Sequence, residues 1–160
     1  MLSVLRSTGL KLCSGIGLVL CIAVASAAAA PAPTLATPKA ESALNAGKKW
    51  ETDTAIRQGM ENIRQAMVES QTRITAEQLS AQDYQQLASK LDKNMADIEK
   101  NKTITKEAKT AFHLVIMIDL KQSVAMMRTG ATVKLQRVGA LGALQSLRLY
   151  GEYFQHPGWV

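Results

Sequence analysis

Along the chain from Lys49, apolar side chains return at helical intervals. Ile56, Met60, Ile63 and Met67 stand at i, i+4, i+7 and i+11, with Glu51, Arg57, Glu61 and Arg64 between them. That period, apolar on one face and charged on the others, predicts an amphipathic helix over Lys49 to Glu69. A second stripe, Tyr84, Leu87, Leu91, Met95 and Ile98, predicts a second helix that frays near Asn101. Ser80 with Asp83 opens it as a capping box carrying Asp in place of the usual Glu, which leaves Thr72 to Leu79 as a connection. Thr103 or Thr105 is the expected N-cap of a third helix, Lys106 to Arg128. Its run Leu114 to Ile118 is apolar all round, so it belongs at the centre of a fold or against a partner. Gly130 suits the C′ position that ends this helix. A fourth, Thr132 to Phe154, carries Ala140, Leu144, Leu147, Gly151 and Phe154 on one face and is stopped by Pro157.

No proline lies between Pro38 and Pro157, and no alternating strand pattern competes with the helical one. Four helices of roughly 20 residues, joined by short connections, favour antiparallel neighbours around one shared core. The expected fold is therefore an all-α, antiparallel up-down four-helix bundle over residues 47–160.

The chain before that domain reads differently. Arg6 and Lys11 precede a short apolar run, Gly15 to Ala25, and small residues follow up to Ala30. This is the layout of a secretory signal peptide over residues 1–30, cleaved between Ala27 and Ala30, and the apolar run is shorter than a bilayer span requires. Pro31 to Ala46 is rich in proline and alanine and reads as a flexible linker. The expected address is the periplasm of a Gram-negative bacterium, and no transmembrane segment is expected in the mature chain. Cys21 sits poorly for lipid attachment, and both cysteines, Cys13 and Cys21, fall inside the leader, so the mature chain has no thiol for disulfides or metal. Without Arg6 and Lys11, 17 basic residues face 13 acidic ones, a net charge of +4 instead of +6. The signs are mixed along the helices, so no nucleic-acid partner is expected. Peripheral lipid binding through Arg57, Arg64 and Arg73 is disfavoured because acidic residues interrupt them.

Candidate chemistry is sparse. No nucleophile elbow, glycine-rich phosphate loop or histidine-carboxylate metal motif occurs, so no enzyme is expected. His113 and Met117 stand one turn apart on a stripe continuing through Leu120, Val124 and Met127, a pairing suited to a soft metal such as copper, although core packing is the preferred reading. Met60 on the first helix and His156 near the chain end are a possible haem pair in a bundle that looks like a soluble b-type cytochrome. No C-x-x-C-H exists for covalent haem attachment. The densest feature is the C-terminal cluster, where Tyr150, Tyr153, Phe154 and Trp159 are four of the seven Phe, Trp and Tyr residues and surround His156. Two readings stand. Tyr150 and Phe154 cap the core while Trp159 folds back, against Trp50 or the connection between the second and third helices. Alternatively the cluster with Trp50 is presented to a partner or ligand.

Two motifs, Leu44-Asn45-Ala46-Gly47-Lys48-Lys49-Trp50 leading into Thr54-Ala55-Ile56-Arg57-Gln58-Gly59-Met60, and Tyr150-Gly151-x-Tyr153-Phe154-x-His156-Pro157-Gly158-Trp159, together resemble a family of small secreted proteins of proteobacteria, some labelled DnrO. The start of the third helix, Phe112-His113-Leu114-Val115, is similar as well. The resemblance implies no reaction, and the label implies neither regulation nor DNA binding. This chain lacks the histidine-rich stretch of some members. The expected function is a non-enzymatic, exported bundle that binds another periplasmic protein or a small ligand, without a resident cofactor; a copper- or haem-binding bundle is the alternative.

Overall fold

The computed structural model describes residues 45–159, so the expected leader and residues 31–44 of the expected linker lie outside the described residues. Among the described residues four helices form an antiparallel up-down bundle. They are α1 (Thr54–Thr75), α2 (Ala81–Asn101), α3 and α4 (Val133–Tyr153). Here α3 denotes residues 106–129, made of an α segment Lys106–Phe112, a π-helical turn His113–Met117 and an α segment Ile118–Thr129. Each helix packs on the next in sequence, and α1 closes the bundle against α4.

Each helix starts on a side chain that accepts an otherwise unpaired backbone N–H. Asp53 Oδ1 accepts from Ile56 N at 2.8 Å, Ser80 and Asp83 form the reciprocal capping box, Thr105 accepts from Ala108 N, and Thr132 from Leu135 N. Asp53 does more than cap. Its second oxygen accepts from the Thr103 backbone N–H and from the Thr103 hydroxyl at 3.1 Å, which ties the start of α1 to the α2–α3 connection. Burial acts to raise the Asp53 carboxyl, but the hydrogen bonds from Thr103 and Ile56 and the charge of Arg57 outweigh it and hold it below the usual range. Asp53→Ala is expected to cost about 1–2 kcal/mol, the upper part of the N-cap range, because two segments lose a partner. Urea denaturation checks this, and Asp53→Asn should retain about half of the stability at stake.

The apolar stripes of α1 and α2 are buried as their period predicts: Ile56, Met60, Ile63, Met67, Tyr84, Leu91 and Ile98 are fully inaccessible. α1 runs past the expected end at Glu69 because Ile74, one heptad beyond Met67, is also buried. It stops with Glu77 in the left-handed region (φ 57°) and Gln78 N donating to Arg73 O at 2.9 Å, the pattern of a C-terminal helix turn usually given to glycine. Gly130 ends α3, but with φ −55° it needs no left-handed freedom. Its smallness is what counts, since a Cβ there would stand 2.7 Å from Met126 O.

The face of α4 also differs from expectation by about one position. Gln136, Gly139, Ala140, Ala143, Ser146, Leu147 and Tyr150 are buried, whereas Leu144 is only partly covered. Small residues make this contact, so α4 lies very close to α3. A Cβ on Gly139 would fall 2.6 Å from Ser123 O and 2.8 Å from Met127 N. Gln136 spans the pair by donating Nε2 to Met127 O at 3.0 Å, which satisfies a carbonyl in the last turn of α3.

Candidate functional site

The ends of the domain meet at one end of the bundle, where α1 begins and α4 finishes. Trp50 N donates to Tyr153 O and Gln155 N donates to Trp50 O, both at 2.8 Å, so residues 50 and 154 form an isolated parallel bridge. The Thr52 hydroxyl donates to Gln155 O, and Lys49 Nζ donates to Gly151 O at 2.6 Å. Beyond the bridge the chain turns back. His156-Pro157-Gly158-Trp159 is a reverse turn in which Trp159 N donates to His156 O at 3.1 Å and Gly158 takes φ 82°. Proline followed by a left-handed glycine is the sequence a type II turn requires.

That turn brings the indole of Trp159 down on Gly151, where a Cβ would stand 2.6 Å from ring atoms Cδ1 and Nε1. Trp159 packs edge-on against Tyr150 with ring centroids 4.7 Å apart, and at 5.0 Å from His156. The Arg64 guanidinium lies 5.6 Å from the indole centroid and is itself held by Glu61 through two hydrogen bonds, 2.7 and 2.9 Å. Underneath, Tyr150 stacks on Phe154 at 5.6 Å and Phe112 meets Phe154 edge-on at 5.5 Å.

The aromatic cluster therefore divides. Tyr150 and Phe154 are core residues, 0 % and 1 % exposed, which corrects their placement on a presented surface: Phe112 and each other cover them. Tyr153, His156, Trp159 and Trp50 are half-buried. Trp159 folds back, as one reading expected, but onto Gly151 and Arg64. Trp50 joins through its backbone, at the bridge to Phe154.

Two hollows flank this assembly. One, of 360 Å³, runs between α1 and α4 and is lined by Arg64, Val68, Leu144, Leu147, Arg148, Gly151 and Trp159. The other, of 500 Å³, opens beside Trp50 between the segment 45–53 and the α2–α3 connection, and is bordered by Lys48, Asp53, Thr103 and Ile104. The first is the more apolar in its lining side chains and carries an arginine from each helix on its rim. Sequence reasoning missed it, because Arg64 and Val68 belong to the solvent side of the α1 stripe and only the turn at 156–159 brings Trp159 over them.

His156 is the titratable group of the assembly. Its Nδ1 lies 3.0 Å from the Tyr150 hydroxyl. Burial pushes the phenol far up, with Thr52 and Arg57 opposing only in part, so Tyr150 stays protonated beside the imidazole. Burial likewise lowers the His156 pKa; Glu61 pulls it up, and Arg57 and Arg64 push it down further. A histidine depressed in the folded state contributes stability that is present above its ordinary pKa of about 6.5 and is lost as pH falls through the folded value. An NMR titration is expected to place His156 below a free histidine. In a Trp50→Phe background, acidification through that midpoint should red-shift Trp159 emission, and His156→Gln should remove the step. A midpoint at or above the ordinary value would contradict the burial argument.

The metal and haem pairings fare differently from the cluster. In the π turn Ile118 N donates to His113 O, one residue further back than in an α-helix. His113 is exposed while Met117 is fully buried with Leu120, Val124 and Met127. This corrects the reading that His113 and Met117 share a face. Met60 is fully buried in the apolar core, and His156 lies beyond the end of α4 with its Nδ1 3.0 Å from the Tyr150 hydroxyl. No cluster of three or more His, Cys, Asp or Glu suited to a metal occurs among the described residues.

Fold and site together define a four-helix bundle in which the segment leading into α1 and the segment leaving α4 are fastened to each other under an aromatic cap. No family model, curated protein or solved structure matches the chain.

Proposed function

We propose that this chain is an exported, non-enzymatic binding or accessory module, and that its docking face is the α1–α4 groove beneath Trp159. One observation carries the reading. The indole is neither buried nor loose: Gly151, Tyr150, His156 and Arg64 hold it half-exposed over an apolar groove of 360 Å³. A rigid aromatic side chain at the edge of a preformed hollow loses little conformational freedom on binding, which is what makes such residues anchors of interfaces. The partner we propose is an apolar segment of another exported protein, entering between Arg64 and Arg148. Periplasmic address and kinship with the small secreted proteobacterial proteins belong to the same proposal. Copper or haem binding is the rival class; it draws no support from the placement of His113, Met117, Met60 and His156, and visible absorption with elemental analysis of the exported protein tests it directly.

A photo-crosslinking residue at Val68, introduced into cells that export the protein, tests the docking face. The expected result is a discrete adduct that disappears in Trp159→Ala and is not formed from a probe at Lys90. No adduct, or one indifferent to Trp159→Ala, overturns the reading.

A further inference from the structure

After Asp119 acidic side chains vanish from the chain and do not return until Glu152, while Lys121, Arg128, Lys134, Arg137 and Arg148 fall between them. The later part of that stretch is α4, and large apolar side chains on it face solvent. Val133, Leu135, Val138 and Leu141 are 44, 45, 49 and 41 % exposed. At about 3.6 residues per turn, Lys134, Val138, Leu141, Gln145 and Arg148 share one arc, turned away from Gly139, Ala143 and Tyr150 that face the bundle. Arg128 is paired with Asp92 of α2, and Arg137 with Glu77 at 3.1 Å, but the arc itself holds no carboxylate before Glu152.

We propose that this arc of α4 seats the bundle peripherally on an anionic lipid surface. Aliphatic side chains would enter the acyl boundary while the long basic stems keep their charges at the level of the lipid phosphates. A second copy is a poor occupant, because it would set the same cations against one another. An acidic protein would match the charge. Yet the hollow of 250 Å³ beside Val138 and Gln145 is lined by neither an aromatic side chain nor an arginine, the anchors on which tight protein interfaces are built, and Asp119 on its border would repel an acidic partner. Lipid is the better fit. No helix among the described residues is long and apolar enough to cross a membrane, so the attachment is to the surface. The inference does not rest on the Trp159 groove: Arg148 is common to both faces, but the positions varied below do not line the groove.

Flotation of the full exported chain with phosphatidylglycerol-containing vesicles and with pure phosphatidylcholine vesicles tests it. The expected result is at least about tenfold stronger binding to the anionic vesicles, weakened by salt. Lys134→Glu should lower binding to them by about fivefold or more. Val138→Ser with Leu141→Ser should lower it further, with an unchanged helical circular dichroism spectrum. Should the double variant unfold, an environment-sensitive dye decides instead. It is attached at Leu141→Cys in a chain with Cys13→Ser and Cys21→Ser, and its emission should shift to the blue on anionic vesicles while a dye at Lys90→Cys stays unchanged. Equal binding to both vesicle types, binding unaffected by these substitutions, or binding to poly-glutamate without binding to vesicles each overturns the proposal, the last in favour of an acidic protein.

Discussion

Phe154→Ala is expected to lower the folding free energy by about 3–5 kcal/mol, the cost of emptying a large aromatic site that cannot collapse. The site is rigid for identifiable reasons. Phe154 is 1 % exposed, stacked on Tyr150 and met edge-on by Phe112, and its backbone is pinned across the bridge to Trp50. Neighbours so held cannot move in to fill the space. Chemical denaturation gives the loss, and the emission of Trp159 should shift to the red in the same variant, since the Tyr150 ring it leans on loses its backing. Phe154→Leu restores most of the volume and is expected to lose less than half as much. A loss under about 1 kcal/mol for Phe154→Ala would mean that this end of the bundle is not consolidated as described.

Gly139→Ala is the second large effect, and its sign runs against helix propensity. In the middle of a helix, replacing glycine by alanine ordinarily gains about 1 kcal/mol. Here the added methyl would meet Ser123 O and Met127 N at 2.6 and 2.8 Å, and both are backbone atoms of α3. Backbone cannot rotate aside as a side-chain tip can, so the two helices must part along their most extensive contact. A net loss of roughly 3 kcal/mol is expected, with a fall in Tm on the order of 10 °C. Gly142→Ala is the internal control. Its methyl would meet the Ser123 hydroxyl at 2.5 Å, a group that can turn away, so the change should be near neutral. Thermal unfolding of the two variants side by side separates a tight helix contact from a general intolerance of bulk.

The contrast between these glycines and the large apolar residues marks what a single sequence can carry. Ile56, Met60, Ile63 and Met67, and the stripe from Tyr84 to Ile98, announce their burial by size and period, and α1 and α2 follow them. The capping box at Ser80 and Asp83 was equally legible, because a cap is a local geometry between residues three apart. The face of α4 was not. Leu144 is larger and more apolar than Ala143 or Gly139, yet the closeness of α3 selects the smaller residues, and closeness is a property of the pair. The π turn is hidden for a related reason. Within the unbroken run Leu114 to Ile118 every residue satisfies an apolar pattern, so nothing in the pattern records the extra residue of the turn, or that Met117 is buried while His113 is exposed. The aromatic cluster was legible as a cluster. Its division into core residues and a half-exposed Trp159 depended on the turn at Pro157 and Gly158 and on a seat at Gly151.

The bridge between residues 50 and 154 also has a mechanical meaning. Its two short segments run parallel, so the chain leading toward the N-terminus and the chain leading toward the C-terminus leave it in opposite directions. Tension applied between the two ends of the domain therefore loads the Trp50–Tyr153 and Gln155–Trp50 hydrogen bonds together, in shear, where an antiparallel pair pulled from its open end would release them one at a time.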